Sequence, residues 1–71
     1  MATDHVTKKV NVIVGSVGGV VTELEVFSKS PRGEELAGRR FRQLCKTYRV
    51  TPAQPSNNEK DVRWVVAALQ T

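Results

Sequence analysis

Residues 8–27, KKVNVIVGSVGGVVTELEVF, decide the fold, because two alternating runs flank a pair of glycines. In the first run Val10, Val12 and Val14 recur at every second position, and β-branched side chains at that period suit a pleated, half-buried strand. Gly18 and Gly19 can take the positive φ that a tight hairpin turn requires. Alternation then resumes, with Leu24 and Val26 on one face and Glu23 and Glu25 on the other. The pattern predicts an antiparallel hairpin that buries Val10, Val12 and Val14 together with Leu24 and Val26. Glu23 and Glu25 are expected on a solvated face.

C-terminal to the hairpin, SKSPRGEE reads as the start of a helix. Ser30 is placed to cap it, Pro31 fits the first helical position, and Glu34 and Glu35 sit near the positive end of the macrodipole. Leu36, Ala37, Phe41, Leu44, Cys45 and Tyr48 then form an apolar stripe that should lie across the hairpin, with Gly38 on or near the outer face. VTPAQPSNNE is a connection, and YRVT before it can extend and pair with the sheet edge. The last segment, DVRWVVAALQT, fits two templates. As a strand it aligns Val62, Trp64, Val66 and Ala68; as a helix it aligns Val62, Val65, Val66 and Leu69. The strand is favoured, since a hairpin needs a third strand for independent stability. The expected fold class is therefore α+β: an antiparallel β-hairpin, one amphipathic helix packed on it and a third strand (ββαβ), with a C-terminal helix as the alternative. Residues 1–7 lack periodicity and are expected to be a flexible tail; residues 8–71 make a single small α+β domain.

A chain of 71 residues has little room for a buried active site. Cys45 is the one cysteine and His5 the one histidine, so an internal disulfide and a Cys/His zinc site are both excluded. VGSVGG lacks the spacing of a phosphate loop and precedes a strand, Cys45 lies on the apolar stripe as a packing thiol, and Glu23 with Glu25 has no pocket to work in. No enzyme, metal or cofactor is expected. The polar N-terminus and the absence of a roughly 20-residue apolar run lead to the expectation of a cytoplasmic protein with no membrane partner.

The net charge of +4 is concentrated. Lys29, Arg32, Arg39, Arg40, Arg42, Lys46 and Arg49 oppose only Glu34 and Glu35, whereas four cations oppose five carboxylates elsewhere. Arg39, Arg42 and Lys46, at i, i+3 and i+7, line one ridge with Arg32 and Arg49 at its ends and Arg40 at its border. We read this ridge as meeting an acidic surface of a larger protein assembly, with Arg32 and the Lys8/Lys9 segment as secondary contacts. Two other readings stand beside it. The ridge can grip nucleic acid, although no second helix is spaced for a helix-turn-helix and few amides could read base edges. It can also be a solvated face favoured by the macrodipole and by the Glu35–Arg39 pair. A dimerising piece that pairs through an open edge or its terminal segment is a further possibility.

Residues 8–50, from KKVNVIVG through CKTYRV, resemble the small ββα regulatory proteins encoded by tailed bacteriophages, in which a glycine-turn hairpin precedes EVF, a polar cap and one amphipathic helix. Some small phage proteins of this size bind host RNA polymerase and inhibit or antiterminate transcription. The resemblance implies a noncatalytic regulator of transcription acting in the host bacterial cytoplasm, with bacterial RNA polymerase as its partner; it assigns no site residue.

Overall fold

The computed structural model describes residues 7–54, 56–57 and 59–70. In chain order they form β1 (Thr7–Val17), β2 (Val20–Ser28), α1 (Pro31–Tyr48), β3 (Ser56–Asn57) and β4 (Lys60–Gln70). The four strands make one antiparallel sheet in the order β2-β1-β4-β3, with α1 packed on it. The architecture is the expected α+β arrangement, and the last segment is a strand, not a helix. β4 pairs with β1 along its whole length, from Thr7↔Gln70 to Val17↔Lys60, so β1 becomes the central strand. Thr7, expected in the tail, opens β1; the rest of that expected tail lies outside the described residues.

The hairpin turns at Gly18 (φ 60) and Gly19 (φ 83), both left-handed as a two-residue type I′ loop demands. A register shift at Gly15/Ser16 bends the pair just before it. Ser30 caps α1 by accepting a hydrogen bond from the Gly33 amide at 3.1 Å, and Pro31 occupies the first helical turn. The helix ends at Arg49, whose φ of 61 carries the chain into the left-handed region. Its amide donates to the Cys45 and Lys46 carbonyls.

The helix covers the opposite side of the sheet from the one expected. Ile13, Ala37, Leu44, Cys45, Val50 and Val62 form the core, with Phe27, Phe41 and Tyr48 packed against it. Asn11, Ile13 and Gly15 therefore face the helix, while Val12 and Val14 point to the side away from α1. Val10 is buried, but Leu24 and Val26 are 61% and 56% exposed. Alternation dictates which residues share a face; it does not choose the face on which the following helix lands. The odd-numbered side offers what the helix needs. Gly15 leaves room for the Tyr48 ring, since a Cβ there would sit 3.0 Å from Tyr48 Oη. At the helix start a Cβ on Gly33 would lie 2.0 Å from the Ser28 carbonyl oxygen, so this glycine sets the close approach of α1 to β2.

Three smaller expectations also change. Gly38 is buried rather than outward, with the Trp64 ring 3.6 Å from where its Cβ would stand. Glu23 and Glu25 point to the helix side and meet Arg40. YRVT does not pair with the sheet: Tyr48 ends the helix, Val50 enters the core and Thr51 bridges to Gln54, while the edge is taken by β3.

Candidate protein-binding surface

The site is built on α1, and its charges sort by what the sheet offers them. At the N-terminal end Lys29 pairs with Glu34 at 2.8 Å, and Glu34 also accepts from Asn11 Nδ2 at 2.7 Å. These two donors, Lys29 first, hold the Glu34 carboxyl below its ordinary value. Asn11 is buried and makes two further hydrogen bonds: Nδ2 also donates to the Ser28 carbonyl at 3.0 Å, and Oδ1 accepts from Trp64 Nε1 at 2.9 Å. One amide thus ties β1 to β2, α1 and β4.

Arg40 is three-quarters buried and reaches β2. Its Nη2 donates to Glu23 at 3.1 Å, its Nη1 to Gln43 at 2.9 Å, and its Nε meets Glu25 as an ion-pair contact without hydrogen-bond alignment. Arg40 is therefore a structural clamp between helix and sheet, and it is removed from the ridge.

On the outer face Arg32 and Arg39 both lean on Glu35, at 3.4 and 3.1 Å. Arg42, Lys46 and Arg49 have no ion-pair partner among the described residues and are exposed. Arg42 and Lys46 stand at i and i+4 on one helical stripe, and Arg49 follows at the C-cap, at the end of the helix where the macrodipole presents its negative end. The expected ridge of Arg39, Arg42 and Lys46 is present, but its uncompensated charge lies at Arg42, Lys46 and Arg49. Sequence spacing alone gave Arg49 only an end position, because the claim of Glu35 on Arg39 does not by itself rank the remaining cations.

The secondary contacts do not join this stripe. Lys8 and Lys9 are exposed at the far end of β1, and strand alternation sends them to opposite faces, Lys8 with Val10 and Lys9 with Asn11. Arg32 sits at the helix start, beside Glu35.

Two shallow hollows flank the surface. One of about 200 Å³ is lined by Arg49, Val50, Thr51, Gln54 and Ser56; another of about 330 Å³, by Ser56, Asp61, Arg63, Trp64 and Val65, lies along the β3/β4 edge. Both are open to solvent. Cys45 is buried among apolar side chains, and burial pushes its thiol up, which disfavours the nucleophilic thiolate. Among the described residues no three His, Cys, Asp or Glu side chains gather in metal-ligating range, and no helix is long and apolar enough to cross a membrane.

Comparison of the chain with protein-family models, curated proteins and solved structures finds no match.

Proposed function

We propose that this is a noncatalytic binding protein that docks on an acidic surface of a larger assembly through α1 and modulates that assembly. The observation that carries the reading is the stripe of Arg42, Lys46 and Arg49, three exposed cations at the C-terminal end of α1 that have no ion-pair partner among the described residues, while Arg40, Arg39 and Arg32 are each given a carboxylate. Arginine forks pair bidentately with carboxylates and recur at binding hot spots, so such a stripe favours an acidic protein partner. Arg39 adjoins it and becomes available to a partner whenever Glu35 is satisfied by Arg32 alone.

The resemblance to phage-encoded ββα regulators makes bacterial RNA polymerase the first partner to test, with inhibition or antitermination of transcription in the host cytoplasm as the effect. The test is capture of polymerase from bacterial lysate on the tagged protein, with nuclease present and salt raised in the wash. Retention of polymerase subunits by the native chain, and at least tenfold weaker retention after Arg39→Glu with Arg42→Glu, is the expected result. Retention that charge reversal leaves intact rules out the ridge. If nuclease or salt instead empties the resin of everything but nucleic acid, the stripe grips phosphate and the protein is a small basic nucleic-acid-binding module, since phosphate binding falls steeply with salt.

A further inference from the structure

Among the described residues, no element lies over the side of the sheet away from α1. Its rows run Val26–Val12–Val65 at the centre, Leu24–Val14–Arg63 and Ser28–Val10–Ala67 on either side, with Lys8–Leu69 beyond. Leu24, Val26, Val65 and Leu69 are between 42% and 61% exposed and make the apolar array, whereas Val10, at 5%, is already buried and adds nothing to it. Three strands about 4.8 Å apart and nine residues at about 3.3 Å give roughly 14 by 30 Å, on the order of 400 Å² in projection. Two such faces together bury on the order of 800–1,000 Å², the size of a weak, reversible interface rather than an obligate one. Water-exposed apolar patches of this size on small soluble chains mark interaction sites.

The charges name the occupant. Of the ionic side chains on this face, Arg63 is bonded to its neighbour Asp61, and Lys8 stands at the far end. The centre is neutral and β-branched, so an acidic or phosphate-bearing partner gains nothing there. A second copy of the same face does, because two valine-ridged sheets stack about 10 Å apart with their side chains interlocked. The excess positive charge lies on α1, on the other side of the sheet. Stacked copies keep their basic helices apart by the thickness of both sheets, beyond the roughly 8 Å Debye length at physiological salt, so repulsion does not oppose the contact.

We propose that the chain is a homodimer that stacks these two sheet faces about Val12, with both α1 helices outermost. The dimer presents two Arg42–Lys46–Arg49 stripes on opposite sides, and a bivalent arrangement of this kind raises avidity for an assembly with repeated acidic sites. The contact does not depend on what the stripes bind.

Sedimentation equilibrium of the full chain at neutral pH tests this without any partner. The native chain is expected to approach twice its 7.9 kDa mass as concentration rises through the micromolar range. Leu24→Lys with Val26→Lys, both at exposed positions, is expected to hold the mass at one chain while far-ultraviolet circular dichroism keeps its native shape. A second measurement covers the case in which the lysine variant unfolds. Cys45 is buried, so Val12→Cys supplies the added thiol, and a bis-maleimide whose reach matches the roughly 10 Å sheet spacing is expected to link it into a covalent dimer, whereas Thr47→Cys on the outer helix face should stay monomeric. A native mass of one chain at every concentration overturns the proposal, as does equal crosslinking at positions 12 and 47. A dimer that survives the lysines but is lost on Ala68→Pro overturns it in favour of pairing along the open edge of β4.

Discussion

Replacing Asn11 should loosen β1, β2, α1 and β4 at once. Asn11 is 1% exposed and holds the Ser28 carbonyl, the Glu34 carboxylate and the Trp64 indole N–H together. A hydrogen bond nets about 1 kcal/mol, and a group left without a partner costs about 1–3 kcal/mol. Ser28 is exposed and Trp64 is 39% exposed, so both can recruit water, and the low end applies. Asn11→Ala should therefore cost about 2 kcal/mol through these two groups. A chain of this length has roughly 4–10 kcal/mol to lose, and with a urea slope near 1 kcal/mol/M the midpoint should fall by about 2 M. Trp64 is the only tryptophan and sits in the network, so its fluorescence reports the transition directly.

Asn11→Asp sharpens the test. At pH 7 it sets a second carboxylate against Glu34 and removes both donated bonds, so it should be less stable than Asn11→Ala. Its pH dependence should also reverse. In the native chain the Glu34 carboxyl is held low in the folded state, so its contribution is present above the ordinary value of 4.5 and is lost as pH falls through the folded value. The introduced carboxylate has its folded pKa raised by burial and by Glu34, so the variant gains stability as pH falls through that raised value. The reasoning is refuted if Asn11→Ala shifts stability by less than about 0.5 kcal/mol, well under one hydrogen bond, or if Asn11→Asp matches the native chain at pH 7.

Two further predictions concern the helix end and its thiol. Arg49 holds φ 61, a conformation that costs a non-glycine residue roughly 1 kcal/mol, so Arg49→Gly should raise the urea midpoint while weakening partner capture, which separates the strain of this residue from its charge. Cys45 should resist a thiol reagent such as Ellman's in the native chain and react at once in denaturant; rapid native labelling would show that the core beneath α1 opens.

Much of the architecture was legible from local chemistry. Gly18 and Gly19 marked the turn, Ser30 and Pro31 marked the helix start, and the β-branched content of residues 62–66 marked β4 as a strand, because each signal acts through the backbone of the residue that carries it. Burial was legible only as a pattern. Val10, Val12 and Val14 make the purer apolar run and read as the core, yet the helix covers Asn11, Ile13 and Gly15. An asparagine and a glycine look unfit for a core strand until Trp64, 53 residues away, supplies a partner for one and Tyr48 fills the space above the other.

The binding surface divides the same way. Sequence spacing placed seven cations between residues 29 and 49 and put Arg39, Arg42 and Lys46 on one ridge. Which of them stay uncompensated was decided in three dimensions, where β2 brings Glu23 and Glu25 to Arg40 and leaves Arg42, Lys46 and Arg49 to solvent. By itself the sequence determined the elements, their order and their amphipathic period, since these follow from dihedral preference and side-chain spacing. The tertiary structure alone decided which sheet face lies under the helix and which lies open, because alternation is symmetric between the two faces and only packing against α1 breaks that symmetry.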